Sequence, residues 1–269
     1  MGRYYNRRIP AILILLSGIV LFNFNAKATS RDFPENPSHS EEIAQILTEK
    51  YREHFAELLK YQKEFRDMHP LFEAHYPITI AVDDHFFVFD LDASNEQYEF
   101  VKSVASEMPL PEGLRAAFPL DFYDEKPAVV VSGDIFKERA DFAVIFHEFV
   151  HCYQWNTVEP LLRENLPLAV ESMKRGDFMW EINYPFPYRD KKFEELYGRF
   201  LEALYQGGSD EEIMVLRESI REVLDDVDYQ YMIWQEWKEG MALFFENRIR
   251  ARMQLPENRV GRSKPFDRT

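Results

Sequence analysis

Residues 143–155 read AVIFHEFVHCYQW, an apolar run interrupted only by His147, Glu148, His151 and Gln154. A segment apolar on nearly every side reads as a buried helix. On a helix His147 and His151 stand one turn apart, about 40° around the axis and about 6 Å along it, so both imidazoles reach one metal ion. Glu148 lies beside them, close to such an ion but free to hold a water that the ion binds. His-Glu-x-x-His on a helix is the pattern in which two histidines bind zinc and the glutamate acts as general base in hydrolysis. Zinc lowers the pKa of bound water towards roughly 7 and polarises a carbonyl, which is why that chemistry needs these residue types at this spacing.

Working outward, Ala128-Val129-Val130-Val131 is a β-branched strand, with Ser132-Gly133-Asp134 as the turn out of it. A strand at 128–132, just before the helix, is expected to hold an extended substrate by strand addition. Residues 77–92 (PITIAVDDHFFVFDLD) read as two strands around Asp83-Asp84. Ser40 to Asp67 is predicted helical from Ile43, Leu47, Phe55, Leu58, Leu59 and Phe65, with His69-Pro70 as the stop. A short helix is expected from Glu96 to Glu107, then a Pro-rich loop through Pro119. Beyond residue 155 the chain reads helical around 160–175 and 190–206, with the loop Asn183-Tyr184-Pro185-Phe186-Pro187 between. A long helix is expected from Ser209, carrying Ile213, Leu216, Ile220, Val223, Leu224 and Val227, and another from about Tyr229 to Met253. Gly207-Gly208 and Ser209 supply the turn and cap before the first of these. The fold class is therefore α+β, a small sheet plus a mostly helical remainder, with the motif at their junction.

The composition bounds the rest. Hydrophobic residues make up 46% of 269 and aromatics 15%, which supports a real core and excludes global disorder. One cysteine excludes a disulfide scaffold or a Cys-rich finger, and Cys152, about 100° around the helix from His151, reads as a buried thiol. A formal charge of −15 argues against nucleic-acid binding. Residues 1–28 read as an export signal: Arg3, Arg7 and Arg8, then the apolar run Ile9–Phe24, then Ala26-Lys27-Ala28. Its removal takes away four basic residues and no acidic one, moving the charge from −15 to −19. The expected location is secreted or periplasmic, without stable membrane insertion after cleavage; the alternative is an anchor formed by an uncleaved signal.

Two histidines leave a zinc site incomplete, since a third protein ligand is needed with one position open for water. His147-Glu148-x-x-His151 together with Glu239-Gly240-Met241-Ala242-x-x-x-Glu246 resembles the gluzincin class of zinc metallopeptidases, which includes thermolysin-like enzymes and alanyl-type aminopeptidases. The resemblance implies a zincin-like fold, one zinc ion, His147, His151 and Glu239 as ligands, Glu148 as catalytic base, and a peptide or protein substrate. The interval of 88 residues between His151 and Glu239 departs from that class, which mostly places its glutamate much nearer. Glu171, twenty residues after His151, is the rival, and Glu236, one turn before Glu239, is another. Gly240 and Ala242 are small enough to admit a neighbouring helix. Glu246 shares the face of Glu239 and can either orient a ligand histidine or pair with Arg250. Tyr153, Tyr184, Tyr229 and Tyr231 are candidate donors to a reacting oxygen. The tail from Asn247 is basic; its arginines suit a helix C-terminus, with a clamp on a substrate carboxylate as the sharper idea. After the signal, 29–269 reads as one domain: an α/β part over about 40–155, a helical part over about 156–255 and a basic tail at 256–269. Two other readings remain: an inactive zincin-like binding module, and a helical structural protein whose motif is accidental.

Overall fold

Five strands, β1 (Ile78–Val82), β2 (His85–Leu91), β3 (Tyr98–Ala105), β4 (Arg115–Leu120) and β5 (Lys126–Ser132), form one mixed sheet in the order β3-β2-β1-β5-β4. The computed structural model describes residues 37–258 apart from 95, 107, 108 and 178, so the expected signal at 1–28 and the tail past 258 lie outside the described residues. β1 and β5 pair in parallel at the centre, and the other pairs are antiparallel. The β1–β2 link is tight because Asp83 and Asp84 both take positive φ, 49° and 57°, a turn whose twist suits a two-residue hairpin. Asp tolerates that region better than most residues do.

The central strands are buried on both faces. Ile78, Ile80, Val129 and Val131 point to the face covered by two helices, α1 (Pro37–Phe65) and α2 (Ala140–Thr157). Ala128 and Val130 point to the other face, where Leu110, Phe122 and Tyr123 close over them. After α2 come α3 (Glu159–Asn165), α4 (Pro167–Lys174), the short α5 (Trp180–Asn183), α6 (Lys191–Gln206), α7 (Asp210–Arg221) and α8 (Asp226–Arg252). Their apolar stripes make a second cluster around Trp180, Phe193, Tyr197, Ile220 and Met232. α8 joins the two clusters: Tyr231, Met232 and Trp234 lie in the second, while Ala242, Phe245 and Ile249 lie in the first. It packs along α2, and this contact positions the motif. Among the described residues no helix is long and apolar enough to cross a membrane.

Four expectations need correction. Glu96–Glu107 is not a helix: Tyr98–Ala105 pairs with β2 as β3, because Tyr98 and Phe100 bury against Phe55 and Phe89 and pairing outweighs local propensity. The expected loop through Pro119 contains strand β4, where Pro119 is tolerated because the strand is an edge. That edge also displaces the strand expected to bind an extended substrate: β5 lies between β1 and β4 with both sides paired. The helix expected from Ser209 through Val227 is broken after Arg221, and Asp225 starts α8 by accepting from the backbone N–H of Val227 and Asp228. Gly207, at φ 69°, and Ser209, accepting from Glu212 N–H, act as the expected turn and cap.

Phe146 has no exposed surface and touches the rings of Phe65, Phe72 and Phe149 at centroid distances of 5.2, 5.9 and 5.6 Å. Phe146→Ala is expected to cost about 3–5 kcal/mol in urea unfolding. A loss below about 1 kcal/mol would mean that α2 does not pack on this core.

Candidate metal centre

α2 is buried over two turns, so its polar residues must find partners inside the protein. His147 and His151 lie one turn apart with ring centroids 4.9 Å apart. Across from them α8 presents Glu239, whose Oε2 is 3.5 Å from His147 Nε2 and 3.6 Å from His151 Nε2. These separations are longer than hydrogen bonds. The three residues offer donor atoms that all lie within 4.8 Å of one another, in the only group of this kind among the described residues. His147, His151 and Glu239 are 7%, 2% and 7% exposed. Both Nε2 atoms are buried without a hydrogen-bond partner, an arrangement that asks for a further occupant. The group could hold a metal ion.

The opposite nitrogens are both engaged. His147 Nδ1 donates to Glu246 Oε2 at 3.0 Å, and Glu246 Oε1 accepts from Arg250 Nε at 2.7 Å and from Asn258 Nδ2 at 2.9 Å. The two readings of Glu246 thus hold together, one on each oxygen. His151 Nδ1 lies 2.9 Å from Gln154 Oε1, and Gln154 Nε2 donates to the backbone carbonyls of Trp237 and Lys238 at 3.2 Å each. Such partners fix the tautomer and ring orientation of metal-binding histidines.

Glu148 is 1% exposed, and neither of its carboxylate oxygens has a hydrogen-bond partner. Burial pushes its carboxyl above the usual range, offset in part by His147 and His151. Burial alone would depress His147, but the carboxylates of Glu239 and Glu246 push it up to about 10. Glu239 is held well below its ordinary value by His151 and His147, against the opposing effect of its burial.

The rivals for the third position lie elsewhere. Glu171 is exposed on α4 and paired with Lys174 at 2.7 Å. Glu236 accepts from Tyr197 Oη at 2.9 Å and from Arg217 Nη1 at 2.8 Å. Gly240 faces open space, so it is not a close-approach residue; Ala242, with no exposed surface, fills that role. Tyr231 and Tyr184 donate their hydroxyls to Glu181 O and Asp228 Oδ1. Arg252 pairs with Asp67 at 2.7 Å, and Arg250 is held by Glu246, so neither is placed as a substrate clamp.

The sequence reading overlooked two features. Gln154 is one; its position three residues after His151 on the same helix was the available signal. The other is a buried charge group beside the centre. Lys238 Nζ contacts Glu159 Oε1 at 3.1 Å and Glu181 Oε2 at 3.0 Å, and Arg163 pairs with both glutamates. Despite burial, Arg163 and Lys238 hold the Glu181 carboxyl down to about 2. Trp234 Nε1 also donates to Glu181. Only the i, i+4 pair Glu159–Arg163 was visible as a pattern.

No protein-family model, curated protein or solved structure matches this chain.

The geometry makes Glu239 the discriminating position. Glu239→Ala is expected to lower affinity for a divalent cation steeply in chelator competition, while Glu171→Ala and Glu236→Ala leave it near wild type. Retention of the cation by Glu239→Ala would remove α8 from the centre.

Proposed function

We propose that this chain is a zinc-dependent hydrolase with a zincin-like core, acting on peptide bonds in a peptide or protein substrate. The observation carrying this reading is the buried trio His147, His151 and Glu239, with two unpartnered Nε2 atoms and the unpartnered Glu148 beside them. Zinc ligands at about 2.0–2.2 Å in a tetrahedron stand about 3.3–3.6 Å apart. The distances of 3.5 and 3.6 Å from Glu239 Oε2 to the two nitrogens fall in that range. Two histidines and one glutamate also match the three-ligand set of a catalytic zinc site, which keeps a fourth position for water.

In this proposal His147, His151 and Glu239 would hold zinc, which would supply an acidified water and a Lewis acid for the scissile carbonyl. Glu148, beside them, would serve as the group that takes a proton from the attacking water and returns it to the leaving amine. Its buried carboxylate oxygens, free of hydrogen-bond partners, suit a group that must both take and return a proton. Glu246 would keep the ligand nitrogen of His147 in the tautomer an ion needs. β4 has one side unpaired among the described residues, and its residues Ala117 and Phe118 share a small cleft with His151 and Trp155. An extended substrate would add to this edge in place of the β5 strand first expected. Export through the signal at 1–28 remains part of the proposal, motivated by its basic start, apolar run and Ala26-Lys27-Ala28.

Glu148→Gln is expected to keep the metal and the fold while lowering turnover of an unstructured basic polypeptide by about 10²–10⁴-fold. Cleavage at the wild-type rate would contradict the mechanism. Zinc binding by the wild type without turnover of any polypeptide would favour an inactive binding module. A wild type that holds no metal would make the motif accidental.

A further inference from the structure

We infer that Gln154 is a positioning residue that sets the tautomer of His151 and, through the same amide, the height of the Glu239 turn of α8. The inference rests on the zinc reading above and goes beyond it, because it assigns a role to a neutral side chain that touches neither ion nor substrate.

Donor and acceptor chemistry fixes the orientation of the Gln154 amide. Gln154 is 1% exposed, so its amide must be satisfied inside the protein. Its Nε2 faces the carbonyl oxygens of Trp237 and Lys238, each at 3.2 Å. Carbonyls only accept, so that end of the amide must be the NH2 group. The end facing His151 Nδ1 at 2.9 Å is then the oxygen, which can only accept. His151 must therefore carry its proton on Nδ1. In the neutral ring Nε2 then carries the lone pair, and it lies 3.6 Å from Glu239 Oε2. Two backbone carbonyls of α8 thus fix which nitrogen on α2 can bind the ion.

The same two hydrogen bonds hold α8 against α2 at residues 237 and 238, immediately before the ligand Glu239. Lys238 adds a second anchor, with its ammonium between Glu159 and Glu181. His147 is oriented differently, by the carboxylate of Glu246. A carboxylate could accept from His151 as well, but it could not donate to the α8 carbonyls. Only an amide of this length does both.

The two duties can be separated by substitution. Gln154→Glu keeps an acceptor for Nδ1–H but loses the donor to α8; Gln154→Met loses both. Zinc affinity by chelator competition, and the Nδ1–H resonance of His151 in ¹⁵N–¹H spectra of the zinc-loaded protein, are the two readouts. Gln154→Met is expected to weaken zinc binding by about 10–100-fold and to lose the slowly exchanging Nδ1–H signal. Gln154→Glu is expected to keep that signal while still binding zinc more weakly than wild type. Gln154→Met binding zinc like wild type, with the Nδ1–H signal intact, would overturn this inference alone. A wild type without zinc affinity would overturn it together with the zinc reading.

Discussion

Everything in this structure depends on the seam between α2 and α8. One helix supplies two imidazoles, the other a carboxylate, and the three must meet at one point inside the protein. Packing ridges and grooves sets the approach of two helices, but it does not orient polar groups. The seam here is fixed by directional contacts. Gln154 ties the backbone of α8 to α2, Glu246 ties its far turn to His147, and Ala242 lets the helices approach between these points.

The fixed seam places many charges out of water. Glu148, Glu159, Glu181, Glu239 and Glu246 are all 7% exposed or less. An unpaired buried charge costs several kcal/mol, so each carboxylate needs a nearby cation or a proton. Arg163 and Lys238 serve Glu159 and Glu181, while Arg250 and His147 serve Glu246. Glu239 faces the two histidines, where a bound cation would complete the balance. Glu148 is the exception, with no hydrogen-bond partner and a carboxyl that burial pushes up. That unpartnered carboxyl beside a metal-capable trio is what motivates its proposed role in proton transfer.

What could be read from the sequence was mostly local. His147, Glu148 and His151 sit within one turn, and their geometry follows from helix pitch alone. The Asp83-Asp84 turn, the Ser209 cap and the Val129–Val131 strand also carry their signals in adjacent residues. Glu239 was reached through the resemblance of Glu239-Gly240-Met241-Ala242-x-x-x-Glu246 to the gluzincin pattern, although Gly240 turned out to face open space. The misreadings share a cause. β3 and β4 become strands because of partners: β3 pairs with β2, and β4 with β5, which the chain reaches only after β4 is complete. Gln154 resembles any polar residue on a helix until carbonyls 83 and 84 residues away are brought to it. Lys238 and Glu181 likewise meet across 57 residues. Spacing along one element is legible; a partner supplied by another element is not.

Under the proposal, α2 and α8 would jointly build one zinc site from His147, His151 and Glu239. X-ray absorption at the zinc edge, on protein loaded with one equivalent of zinc, tests it most directly. The expected result is one tightly held ion in a four-coordinate shell of nitrogen and oxygen at about 2.0–2.2 Å, with the scattering pattern of two imidazoles and no sulfur. A shell with sulfur, with fewer than two imidazoles, or an ion lost on simple desalting would contradict it.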